Sequence, residues 1–161
     1  PYLVSFGLKA SSLWFVFTLM MVAGAVVGTL LSRYMNHTNN PRVVTLSLLL
    51  MGLAFGGMCV GQSLTAAVLS ILLYQCALAM KMPAHAAWLN GYLKDGNRAA
   101  VLSAISTCVS ISTAIFFMGL GVCMQHVSFK VGFILPAGML FSATLLAMQM
   151  NHIEEKATAL E

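Results

Sequence analysis

The chain has 161 residues, 60% of them hydrophobic and only 7% charged, with a mean hydropathy of +0.90. A water-soluble domain carries about a quarter of its residues as charge to cover its surface, so a soluble fold is excluded. The net charge of +4 is spread along the chain, which excludes the clustered basic surface of a nucleic-acid binder.

What remains is an all-α, polytopic transmembrane bundle. Crossing a hydrocarbon core of about 30 Å takes roughly 20 apolar residues at a rise of about 1.5 Å each. Five runs reach that length, near residues 13–32, 43–61, 64–82, 99–124 and 131–150. The lipid bilayer is therefore the first partner. Ahead of the first run, Pro1-Tyr-Leu-Val-Ser-Phe-Gly7 reads as the end of an apolar segment. Together with the odd span count, it gives the expectation that the chain is a fragment of a longer protein.

The first span contains Gly24-Ala-Val-Val-Gly28 and the second contains Gly52-Leu-Ala-Phe-Gly56 and Gly57-Met-Cys-Val-Gly61. Glycines four apart share one helix face and let backbones approach closely. The connector Gly61-Gln-Ser63 is so short that the second and third spans must form an antiparallel hairpin. The third span carries Tyr74 and Gln75 and is expected to end at Lys81-Met-Pro83. Lys81 has two readings: it snorkels to the headgroups, or it faces a water-filled cavity and meets an anionic group. Trp88 and Tyr92 then mark an interfacial belt.

In the fourth span, Ser103, Ser106, Thr107, Ser110 and Thr113 recur at steps of three and four, forming one hydroxyl stripe. Either the stripe hydrogen-bonds to other helices, where each bond averages about 0.6 kcal/mol, or it lines a polar path on which Tyr74 and Gln75 are partners. Pro136 predicts a kink in the fifth span rather than a break. The polar tail, residues 151–161, is expected to be frayed and cytoplasmic.

The four acids, Asp95, Glu154, Glu155 and Glu161, all fall in connectors or the tail, so no span carries a proton-bearing carboxylate. There is no Ser/His/Asp constellation, HExxH or Walker loop, and enzyme and ATPase readings have no residues to stand on. Cys59, Cys76, Cys108 and Cys123 lack paired spacing, and His37, His85, His126 and His152 are scattered. No metal or other cofactor is expected.

Arg33, Arg42, Lys81, Lys94, Arg98 and Lys156 fall on one side of this topology, and only Lys9 and Lys130 on the other. Basic residues favour the cytoplasmic side, which places the N-terminus of the chain outside and its C-terminus in the cytoplasm.

Pro83-Ala-His-Ala-Ala-Trp-Leu-Asn90, followed by Asn97-Arg-Ala-Ala-Val-Leu-Ser103, resembles the cytoplasmic connector between the tenth and eleventh helices of major facilitator superfamily transporters. Drug-efflux-like members often carry Arg-Ala-Thr-Val-Leu-Ser there, and this chain has Ala100 in place of the Thr. Gly28 and Arg33 fit the family's loop between helices eight and nine. Ser32 stands where an acid is common, and the usual Gly-Arg-Arg cluster is absent. The resemblance implies that the spans are helices eight to twelve, with Pro1–Leu8 as the end of helix seven or the loop after it. The chain would then be part of the C-terminal lobe of a twelve-helix transporter, whose other partner is the missing N-terminal lobe. Substrate would sit between the lobes near the midplane, and the hydroxyl stripe becomes pore-lining.

The expected function is secondary transport of a small solute by alternating access, in the export direction, at a bacterial inner membrane. Gln75, Tyr74, Ser103, Ser106, Ser110 and Thr113 are the candidate cavity residues, with Trp14 and Thr18 opposite. Arg33, Arg42, Lys81, Lys94 and Arg98 set orientation, and Arg33 and Arg98 are candidates to latch the lobes. The rival expectation is a small five-span scaffold or accessory subunit without transport activity.

Overall fold

The computed structural model describes residues 2–33, 40–92, 98–126 and 129–158. Among them there is no strand. A single turn, α1 (Tyr2–Ser5), leads through a 3-10 turn at Ala10–Ser12 into five long helices: α2 (Leu13–Ser32), α3 (Asn40–Val60), α4 (Leu64–Tyr92), α5 (Arg98–His126) and α6 (Phe129–Thr158). Each long helix contains a segment long and apolar enough to cross a membrane. Many large apolar side chains point outward, among them Phe15, Phe17, Met21, Val26 and Leu69, as a chain solvated by lipid requires.

Helix α3 is the centre of the bundle. Its buried residues Val44, Ser47, Met51, Ala54 and Met58 alternate steps of three and four, which keeps one stripe facing its neighbours as the helix turns. Ser47 is fully buried, but its hydroxyl donates to the Val44 carbonyl at 2.7 Å, so the polar group is satisfied within the helix. Helix α4 answers with Ala67, Ser70, Tyr74, Ala77, Lys81, Ala84 and Trp88 at the same alternation, and the three alanines of this stripe are fully buried. Helix α6 presents Phe133, Ala137, Leu140, Thr144, Ala147 and Asn151. The principal packing is α4 on α3, α3 on α6, and α2 on α4.

The expected α3–α4 hairpin is present. Ser63 opens α4 by accepting from the Ala66 amide at 3.2 Å, the usual service of a serine at a helix start. At this end of the bundle Tyr2 donates to the Met58 carbonyl at 2.8 Å and packs edge-on against Phe6 and Phe133, and Phe133 in turn meets Phe55. Gly7, at a φ of 89°, makes the left-handed turn that lets α1 fold onto the helix ends, a conformation costly for other residues.

Two elements differ from the sequence expectation. Helix α4 does not end near Pro83 but runs through it to Tyr92. Proline removes the amide that would bond to the Ala79 carbonyl, and that carbonyl lies beside Gly28 of α2, where a Cβ would come within 3.8 Å. Helix α6 passes Pro136 without a break, as expected, but continues beyond residue 150 to Thr158 instead of fraying. Asn151 Nδ2 donates to Thr45 Oγ1 at 3.0 Å, anchoring α6 to the first turns of α3, and Glu, Lys and Ala in the residues that follow favour helix.

Helix α5 stands apart. None of its described side chains is buried, and among the described residues its substantial contact is with α6. Gly132 permits that contact, because a Cβ there would fall 2.5 Å from Met124 Cγ.

Candidate functional site

The expected cavity residues divide into two groups. On the α2–α4 seam, Gly24 lies under the Gln75 side chain, with a notional Cβ 3.1 Å from Gln75 Nε2. The i, i+4 glycine pair of α2 therefore faces the i, i+4 pair Gln75 and Ala79 of α4, and the small residues bring the Gln75 amide close against α2. Tyr74, one residue earlier, turns towards α3 and packs edge-on against Phe55 with ring centroids 5.2 Å apart. Trp14 and Thr18 sit on the first turns of α2. Trp14 is 67% exposed beside Phe15, and the Thr18 hydroxyl donates to the Trp14 carbonyl at 2.9 Å.

The second group is the α5 stripe. Ser103, Ser106, Ser110 and Thr113 are all exposed, as is Thr107, whose hydroxyl donates to the Ser103 carbonyl at 2.9 Å. Because α5 packs chiefly on α6, this chain does not bring the stripe onto the seam that holds Gln75. Arg33 and Arg42 are exposed near the end of α2 and the start of α3. Lys94 lies outside the described residues, and of Arg98 only the backbone at the start of α5 is described.

A third site escapes sequence reasoning. Where α3 begins and α4 and α6 approach their ends, the three seams diverge around a cavity of about 240 Å³. It is lined by Pro41, Val44, Thr45 and Leu48 from α3, Lys81, His85 and Trp88 from α4, and Ala147, Met150 and Asn151 from α6. The His85 and Trp88 rings lie 6.2 Å apart. Thr45 donates to the Pro41 carbonyl at 3.0 Å, so its oxygen must accept from Asn151, and this fixes the orientation of that amide. Beyond the Thr45–Asn151 bridge a shallower hollow of about 350 Å³ carries Arg42 and His152. The spacing 81, 85, 88 marks one face of a helix and was available as a signal, but only to a reading that carried α4 through Pro83.

The family model described as Major Facilitator Superfamily matches residues 1–158. No curated protein matches the chain, and no solved structure does.

Proposed function

Given that the chain belongs to the major facilitator superfamily, and so to a family of multi-pass membrane transporters of small solutes, we propose that it forms helices eight to twelve of a secondary transporter. In this reading the chain is most of a C-terminal lobe that works with an N-terminal lobe by alternating access, in a drug-efflux-like exporter of a bacterial inner membrane. The observation that carries the registration is the junction Pro83–Asn90 and Asn97–Ser103, supported by a family match that runs almost the whole chain. The orientation follows from the basic residues: with Arg33, Arg42, Lys81, Lys94 and Arg98 on the cytoplasmic side, the N-terminus of the segment is outside. Arg33 and Arg98 are then placed to latch the lobes.

Substrate and cavity water contact Gln75 and Tyr74 on α4, Trp14 and Thr18 on α2, and Ser103, Ser106, Ser110 and Thr113 on α5. The spacing of the hydroxyl stripe supports this assignment: in an apolar helix, a continuous row of hydroxyls is retained where it meets water or polar partners. The row offers donors and acceptors without charge, which suits a neutral or amphipathic solute.

The test is transport by the full-length protein in vesicles. Replacing Ser106 and Ser110 together by Ala is expected to lower kcat/KM about tenfold, the cost of roughly one hydrogen bond or a little more. Unchanged kinetics at normal expression would remove the stripe from the path.

A further inference from the structure

Lys81 belongs to the inward seam of α4, in register with Ala67 and Tyr74 before it and Trp88 after it. It lies about 26 Å along α4 from Leu64, near the cytoplasmic boundary of a core of about 30 Å, and it lines the cavity between α3, α4 and α6. A cation placed there is costly unless it meets water or an anion. Among the described residues no carboxylate lines the cavity around it, and its volume is several times the roughly 30 Å³ share of one water.

The polar lining is donor-rich. Lys81 supplies an ammonium group and His85 an imidazole N–H. Asn151 uses one amide hydrogen on Thr45 and keeps the second, and the Thr45 hydroxyl is already committed to Pro41. Val44, Leu48, Ala147 and Met150 make the rest of the wall apolar. Donors with a fixed cation suit an oxyanion, and the apolar wall suits an attached chain.

We propose that this cavity binds a phosphate group through Lys81, His85 and Asn151. An anionic phospholipid headgroup, its acyl part lying along the apolar wall, and a free phosphate share that chemistry, and they are separated by experiment. The site is apart from the seam and stripe assigned to the solute and does not depend on the direction of transport.

The full-length protein, purified in detergent and stripped of lipid, is titrated with phosphatidylglycerol, phosphatidylcholine or inorganic phosphate, and binding is read by native mass spectrometry and thermal shift. Phosphatidylglycerol is expected to bind in preference to phosphatidylcholine. Lys81→Gln should weaken it about fivefold or more, the effect of one lysine near a headgroup, while Lys81→Arg should retain it. Saturable binding of inorganic phosphate that Lys81→Gln abolishes would also support the site and identify its source as soluble. Should Lys81→Gln fail to accumulate, His85→Ala and Asn151→Ala carry the same readout. Equal binding of the two lipids with none of phosphate, or binding unaltered by all three substitutions, overturns the proposal.

Discussion

Gly57 and Ser70 set how closely the two central helices approach. A Cβ at position 57 would lie 2.5 Å from Ser70 Oγ, a hydroxyl already held by the Ala66 carbonyl at 2.8 Å. Gly57→Ala must therefore dislodge that hydroxyl or part the helices, at a cost of about 1–3 kcal/mol. Gly28 and Gly56 behave differently: a Cβ at 28 makes an ordinary contact at 3.8 Å and one at 56 meets open space. Thermal unfolding of the full-length protein should show Tm lower by several degrees for Gly57→Ala and nearly unchanged for Gly28→Ala and Gly56→Ala. Adding Ser70→Ala to Gly57→Ala should recover most of the loss. Equal Tm for Gly56→Ala and Gly57→Ala would contradict the close approach. The glycine spacing was legible in the sequence, but which glycine bears the contact depends on the residue opposite, and that is a property of the packed pair.

At the scale of the element, what sequence reasoning misplaced were helix ends. Apolar length located all five spans because hydrocarbon thickness dictates it. Pro83 looked like a terminus because proline removes a backbone bond, yet the neighbouring α2 packs Gly28 beside the freed carbonyl and the helix continues. The polar tail looked unstructured because no local signal reveals that Asn151 will meet Thr45 of another helix. This bond joins the last turns of α6 to α3, and interhelical hydrogen bonds of its kind average about 0.6 kcal/mol in membranes. Asn151→Ala should raise amide exchange across residues 148–156 about threefold, with protection in the first half of α6 unchanged. Thr45→Val should do the same, and the double variant should add little to either single one. Additive effects would show that the two side chains act separately.

At the scale of the molecule, four helices form a packed unit and the fifth carries the most conspicuous polar pattern away from it. Packing around α3 follows from stripes at steps of three and four on α3, α4 and α6, which the sequence does not single out because the outward faces of these helices, with Leu46, Leu53, Leu69 and Leu145, are apolar too. The hydroxyl stripe of α5 was legible, yet its partner was not, because Gln75 is taken up by the close approach of α2 rather than by α5. The direction in which α5 presents its stripe is testable through its own chemistry. At about 100° per residue, Cys108 lies about 200° around the helix from both Ser106 and Ser110, so the native thiol is on the face opposite the stripe. In a background lacking the other cysteines, a membrane-impermeant maleimide should label Ser106→Cys and Ser110→Cys and leave Cys108 unreacted, because thiolate forms only where water reaches it. A transported solute should slow the labelling of the two stripe positions. Rapid labelling of Cys108 with protection at 106 and 110 would turn the helix round and place its apolar face, not its hydroxyls, on the aqueous path.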